Sequence, residues 1–170
     1  MDLKSYIRDV SDFPKKGIVF KDIAPLLKSP EAFSYVIQHL AERYASAKLD
    51  AVLAVEARGF IFGGALAKAL NISFVPARKP GKLPWKTLQQ SYDLEYGTDQ
   101  LEIHEDAFAK NAKVLILDDV LATGGTAWAA AQLVEKAGGL VQEAAFLMDL
   151  TFLNGRQKLK NIPVYSIIQY

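Results

Sequence analysis

Residues 114–126 read VLILDDVLATGGT, and the reading of this stretch decides the fold. Val114, Leu115, Ile116 and Leu117 form a short apolar run with β-branched members, as in a strand buried on both faces of a parallel sheet. Asp118 and Asp119 close that run and are expected at its carboxyl end. Ala122-Thr123-Gly124-Gly125-Thr126 follows and leads into the helical pattern AWAAAQLVEKAGG. Its two glycines let backbone N–H groups turn toward one point at a helix N-terminus, where unpaired donors and the helix dipole both favour phosphate. The stretch has neither the Lys of a Walker loop nor the spacing of a dinucleotide fingerprint. Two carboxylates beside a phosphate nest suit a ligand whose hydroxyls donate hydrogen bonds, as the 2′ and 3′ groups of a ribose do. The plainer alternative is a strand-turn-helix with a polar turn.

Working outward, Ala51 to Val55 reads as a strand ending in Glu56-Ala57-Arg58-Gly59, after which FIFGGALAKAL resumes helical spacing. An Arg at the carboxyl end of a buried strand is placed either to meet an anion or to make a structural salt bridge. Ile72 to Ala77 is the next strand. It runs into RKPGKLPWK, where Arg78, Lys79, Lys82 and Lys86 occur with no acid among them, as a solvated face or a polyanion site. Residues 87–103 read as a hairpin or β-ribbon, with strands around Tyr92 to Tyr96 and Gln100 to Ile103. A polar excursion of this kind is more often a lid or binding loop than filler. Leu140 to Leu147 and Val164 to Ile168 complete the strands.

On the N-terminal side, Ser29-Pro30-Glu31 reads as a helix cap and first turn, with Phe33, Val36, Ile37, Leu40, Ala41 and Tyr44 on one face. Residues 1–28 contain a short amphipathic start and then a segment interrupted by Pro14, Gly17 and Pro25, read as an ordered loop or flap. Strands alternating with helices argue an α/β fold with a mostly parallel central sheet flanked by helices, and ligands at the carboxyl ends of the strands.

Composition narrows the function classes. A chain of 170 residues is most simply one domain. Lys plus Arg total 20 against 19 Asp plus Glu, so a net charge of +1 gives no global attraction to nucleic acid or an anionic membrane. There is no cysteine and only two histidines, His39 and His104, so neither disulfides nor a transition-metal site is expected. The opening MDLKSYIRDV lacks an apolar core of signal-peptide length, and no run approaches the ~20 residues of a membrane span. A soluble, cytoplasmic protein is the expectation.

The acid pair followed by ATGGT resembles the signature of the type I phosphoribosyltransferases. FPKKGIVFKDIAPLL, EARGFIFGGALA, RKPGKLP, SYDLEYG with QLEIH, DDVLATGGT and the ending SIIQY extend the resemblance, along nearly the whole chain, to the adenine-specific members of that family. It implies one phosphoribosyltransferase domain over residues 1–170, with an adenine-binding hood at 1–28 and a flexible catalytic loop at 79–103. It also implies a Mg²⁺-dependent purine-salvage reaction in which adenine and 5-phosphoribosyl-1-pyrophosphate give AMP and pyrophosphate, carried out by a homodimer. The metal would be held by the phosphoribosyl pyrophosphate and water, with no direct protein ligand.

The resemblance assigns roles to residues. Ala122, Thr123, Gly124, Gly125 and Thr126 would hold the 5′-phosphate, and Asp118 and Asp119 the ribose hydroxyls. Arg58, Lys79 and Lys82 would stabilise the departing pyrophosphate, and the Glu56–Ala57 bond would be a non-proline cis peptide. Val19 and Lys21 would meet adenine through backbone groups while Phe20 stacks on it. Glu95 would handle a proton or charge near the base, with Tyr96 packing over the site. Many members have Arg where this chain has Lys21, so recognition through a guanidinium is in doubt and recognition through the main chain survives. Two rival readings remain. One is a phosphoribosyltransferase for hypoxanthine, guanine or xanthine, with Lys158 or Lys160 donating to O6. The other is a non-catalytic purine-responsive regulator, which would need a nucleic-acid-binding surface.

Overall fold

A computed structural model describes residues 1–93 and 97–170. Glu95 and Tyr96, assigned to the site by the resemblance, lie outside the described residues together with Leu94. The chain forms two compact units, Met1–Arg43 and Tyr44–Tyr170.

In the first unit a 3-10 turn at Leu3–Tyr6 leads into strand β1, Arg8–Ser11, which pairs antiparallel with β2, Val19–Asp22. The loop reading of residues 1–28 is therefore corrected in part. The breakers Pro14 and Gly17 both fall in the connection between these strands, which leaves Val19 and Phe20, good strand formers, free to pair. Asp12 sits at φ +58° and its carboxylate accepts the Gly17 N–H at 2.7 Å, closing that connection; Phe13–Pro14 is cis. Two helices follow, α1 (Ala24–Lys28) and α2 (Pro30–Tyr44). Ser29 caps α2 by accepting the Ala32 N–H at 3.2 Å. Val36 and Leu40 of the predicted stripe are buried, and His39 stacks on Tyr35.

The second unit carries a five-stranded parallel sheet of β3 (Ala51–Val55), β4 (Ser73–Ala77), β7 (Lys113–Leu121), β8 (Leu140–Asp149) and β9 (Val164–Gln169), in the order β4-β3-β7-β8-β9. The antiparallel ribbon is β5 (Thr87–Asp93) with β6 (Thr98–His104), longer toward its base than the sequence suggested. Helix α3 (Arg58–Leu70) links β3 to β4, and α4 (Gly125–Lys136) links β7 to β8. The two crossovers run in opposite directions along the sheet, so right-handed connections place the helices on opposite faces.

Alternation along the strands agrees with that placement. Ala51, Leu53 and Val55 of β3 and Val114 and Ile116 of β7 share a core with Ala130, Leu133 and Val134 of α4. On the other face, Gly63 of α3 comes so near β3 that a Cβ there would stand 2.5 Å from the Ala54 side chain. Among the described residues no helix is long and apolar enough to cross a membrane.

One boundary places the site. The acids were expected where the strand ends, but β7 continues to Leu121 because its pairing with β8 runs on to Leu121 opposite Asp149. The pairing with β3 stops at Leu117 opposite Ala54. Asp118 and Asp119 thus occupy a strand supported on one side only, and the open side is where α3 begins.

Candidate active site

Arg58, the first residue of α3, reaches the open side of β7 and makes an ion pair with Asp119. The salt bridge weighed for Arg58 from sequence is therefore present, and the same guanidinium still lines a cavity of about 190 Å³. That cavity is bounded by Val55, Glu56, Ala57, Arg58, Lys79, Tyr92, Asp118, Asp119 and Thr126. The Glu56–Ala57 peptide at its floor is cis, as the resemblance implied.

The acid pair is electrostatically costly. Asp118 Oδ1 accepts the Asp119 N–H at 2.8 Å, and Asp119 is almost wholly buried. Burial, then the neighbouring Asp119 carboxylate, push the Asp118 carboxyl well above its ordinary value. Burial raises Asp119 as well, against the opposing pull of Arg58. Both carboxylates are short of compensating positive charge, which suits groups that must accept hydrogen bonds from a ligand.

Thr126 and Asp118 connect this cavity to a second, of about 130 Å³, lined by Ala122, Thr123, Gly124 and Gly125. Gly124 is the residue before α4 and lies at φ +81°, a left-handed conformation that a side chain would disfavour. Among the described residues no side chain caps the helix, so its first N–H groups face the loop as the sequence reading required. The 3-10 segment Gly155–Leu159 backs this loop, backbone against backbone: a Cβ on Gly155 would collide with the Ala122 carbonyl and stand 3.0 Å from the Gly124 nitrogen. Arg156 anchors the segment, donating through Nε to the buried Asp149 at 2.6 Å and through its terminal nitrogens to the Val164 carbonyl and Ser166 Oγ.

The cationic run divides among carboxylates. Arg78 Nε donates to Glu56 Oε2 at 2.6 Å, and Lys82 pairs with Glu56 Oε1 at 3.2 Å. Burial acts to raise the Glu56 carboxyl, but Arg78 and Lys82 outweigh it and hold it below its ordinary value. Lys79 pairs with Asp99 on β6 and donates to the Tyr92 hydroxyl at 3.1 Å. Lys79 reaches the cavity and Lys82 does not line it.

Val19, Phe20 and Lys21 lie in the first unit on β2. Phe20 meets Phe13 edge-on at 5.2 Å, and Lys21 Nζ donates to Asp9 Oδ1 at 2.7 Å. Sequence reasoning assigned no role to Glu56, Tyr92, Asp99, Gly155 or Arg156. Glu56 and Tyr92 stood inside the motifs EARG and SYDLEYG, which was their only signal. Lys158 was weighed only as a base contact; it lies beside Gly125, lining with Ser91, Tyr92, Asp93 and Trp128 a cavity of about 320 Å³.

Comparison with known proteins agrees with this geometry. The family model for the phosphoribosyl transferase domain matches residues 24–168. The adenine phosphoribosyltransferase of Maridesulfovibrio salexigens is 60% identical over 169 residues, covering 99% of both chains. The chain belongs to the adenine phosphoribosyltransferase family. The crystal structure of the adenine phosphoribosyltransferase from Thermoanaerobacter pseudethanolicus superposes with a TM-score of 0.97 at 54% identity, covering 99% of this chain and 98% of that one. The Saccharomyces cerevisiae adenine phosphoribosyltransferase, solved with an imino-altritol bisphosphate and adenine, gives 0.92 at 42% identity, covering 97% and 96%. The type I phosphoribosyltransferase fold expected from the sequence is the fold observed.

Two outcomes follow from the site's construction. Gly155→Ala forces the loop backbone to move and is expected to cost about 1–3 kcal/mol, read as a lower midpoint in urea unfolding; an unchanged midpoint would show that the segment yields freely. The buried Asp118 carboxyl ties stability to pH. Below about pH 4 its carboxyl is protonated whether the chain is folded or not, and no penalty arises. As pH rises from there the unfolded chain ionises first, so stability falls until the raised folded value is passed and is level above it. Asp118→Asn is thus expected to raise Tm at pH 7 by several degrees, with the gain vanishing toward pH 4. A gain equal at both pH values would show that ionisation is not its source.

Proposed function

We propose that this chain is a cytoplasmic, homodimeric purine-salvage transferase that joins adenine to the phosphoribosyl group of 5-phosphoribosyl-1-pyrophosphate, releasing AMP and pyrophosphate. The observation that carries the reading is the convergence of Arg58, Lys79, Asp118, Asp119 and Thr126 on one cavity that opens onto the uncapped N-terminus of α4.

The chemistry is displacement at the anomeric carbon with oxocarbenium character. The loop of Ala122, Thr123, Gly124, Gly125 and Thr126 holds the 5′-phosphate with backbone donors. Asp118 and Asp119 accept from the ribose hydroxyls, and their shortage of positive partners favours those bonds and the positive charge that develops on the sugar. Arg58 and Lys79 meet the pyrophosphate as its charge grows; Lys82, held by Glu56, stands at the outer end of that cation group. Mg²⁺ would be carried by the substrate's phosphates and water, with no direct protein ligand, leaving the Asp118 and Asp119 carboxylates to the ribose. Bound there, it would neutralise diphosphate charge.

Val19, Phe20 and Lys21 take the adenine, the first and last through main-chain groups. Lys21 suits that role because its ammonium is engaged by Asp9. Glu95 handles the proton or charge at the base. The ribbon of β5 and β6 shelters the reacting sugar from water. Lys158, one of the two lysines that a 6-oxopurine reading would place on O6, instead lies beside Gly125 at the phosphate loop.

The dimer is what the family resemblance implies, and exposed apolar residues at the sheet's edge support it. β4 is an edge strand, Ile61 and Phe74 are exposed, and Phe60 packs edge-on against Phe74 at 5.7 Å. A second copy covering this patch accounts for it.

With labelled adenine, hypoxanthine, guanine or xanthine, each with phosphoribosyl pyrophosphate and Mg²⁺, only adenine is expected to be converted; turnover of an oxo-purine alone would overturn the reading. In the same assay Glu95→Gln is expected to lower kcat by about 10²-fold or more with little change in KM for phosphoribosyl pyrophosphate, and an unaltered kcat removes Glu95 from the chemistry. Sedimentation equilibrium should give twice the chain mass for the wild type and a single chain mass for Ile61→Glu. A wild-type monomer would refute the dimer.

A further inference from the structure

Lys79 stands just beyond β4 and Asp99 one residue into β6, and their ion pair joins the catalytic cavity to the ribbon. Tyr92 lies directly opposite Asp99 in the ribbon register and is buried. Its hydroxyl is 3.1 Å from the Asp99 carboxylate and 3.1 Å from Lys79 Nζ, and the ammonium stands 5.6 Å from its ring centroid. The result is a triangle with one fixed corner, Tyr92, and two corners, Lys79 and Asp99, that are about one-third exposed. Asp99 also accepts its neighbour's Gln100 N–H at 2.8 Å, so its carboxylate keeps a partner without the ammonium.

We infer that Asp99 is an intramolecular competitor for pyrophosphate: its carboxylate holds the Lys79 ammonium, yields it to the incoming diphosphate, and recaptures it as pyrophosphate leaves. The inference rests on the reading of Lys79 as a pyrophosphate ligand. The chemistry is an exchange of anions on one cation. A lysine ammonium offers three donors; Tyr92 takes one without charge, and the ionic one is taken by Asp99. A diphosphate brings several negative charges to the same place, and a carboxylate left in contact would repel it. Asp99 gives way at small cost because it is partly solvated and retains Gln100. Burial acts against both charged forms, yet the pair outweighs it, raising Lys79 and lowering Asp99 from their ordinary values, so both corners stay ionised through neutral pH. Arg58 and Lys82 have comparable carboxylate partners in Asp119 and Glu56, but Asp119 lies within β7 and Glu56 directly follows β3. Among these pairs Asp99 alone is carried by the ribbon, so the exchange ties the leaving group to the ribbon's hold on the cavity.

The test is pyrophosphate binding by calorimetry, with steady-state kinetics, on the wild type, Asp99→Asn, Asp99→Glu and Lys79→Gln. Asp99→Asn keeps the shape and removes the competing charge. It is expected to bind pyrophosphate about 3–10-fold more tightly, to lower KM for phosphoribosyl pyrophosphate in parallel, and to lower kcat because product leaves more slowly. Asp99→Glu should restore wild-type behaviour. An Asp99 that merely orients Lys79 gives the opposite sign, so equal or weaker pyrophosphate binding by Asp99→Asn overturns the inference. Asp99→Ser, which also lacks the charge, decides by the same sign if Asp99→Asn folds poorly. Lys79→Gln separates the two levels: unchanged pyrophosphate affinity would remove Lys79 from the site, whereas weakened affinity beside an unresponsive Asp99→Asn sinks the competitor role alone.

Discussion

Two consecutive carboxylates on a strand withdrawn from water, with one guanidinium between them and neutrality, set the terms for the rest of this structure. Asp118 and Asp119 lose hydration and repel each other, and Arg58 offsets part of the cost, pairing directly with Asp119 and acting on Asp118 only through its charge. Such a pair is tolerated only where the chain holds it rigidly. β7 does so by pairing with β8 through Leu121 after β3 has stopped at Ala54, leaving one flank open for the head of α3. Folding therefore bears an electrostatic cost, which is the usual direction of the trade between stability and function at a site. The parallel sheet and the crossover from β3 into α3 set where Arg58 stands relative to these acids.

The cation side of the cavity follows a complementary logic. Arg78, Lys79 and Lys82 lie within five residues, and left alone they would repel one another. Glu56 and Asp99 prevent this, Glu56 from the β3 strand end and Asp99 from the ribbon. A polyanion site built this way presents charge that is already spoken for. A ligand anion at such a site would have to exchange partners with these acids, so its affinity would be the difference between two sets of ion pairs.

Much of this was legible because it is local in sequence. The apolar run before Asp118, the glycines of the phosphate loop, and the Arg after β3 each declare themselves within a few residues, and parity along β3 and β7 assigns their faces. The β1–β2 hairpin was read as a loop because Pro14 and Gly17 look like breakers of any element, when both fall in the turn and the residues on either side are free to pair. The acids were placed at a strand end because the apolar run stops there, whereas the strand is prolonged by its neighbour β8, which no local pattern reports. The partners of the cations were illegible for the same reason: Arg78 meets Glu56 across 22 residues and Lys79 meets Asp99 across 20. Charge pairing between strand ends is a property of topology, and topology fixes which of several nearby acids is within reach.

The phosphate loop shows how far that dependence extends. Its glycines permit the left-handed turn at Gly124, but permissive residues do not select one conformation. Selection comes from the segment at Gly155, whose backbone lies so close to Ala122 and Gly124 that neither side admits a Cβ. That segment is held in turn by Arg156 on the buried Asp149 at the end of β8, on the Val164 carbonyl and on Ser166 of β9. A motif of five residues thus owes its shape to a salt bridge more than 20 residues away in the chain. Substitutions at Asp149 or Arg156, neither of which lines either cavity of the site, act on this loop through Gly155, because its glycines have no side chains of their own to hold it open.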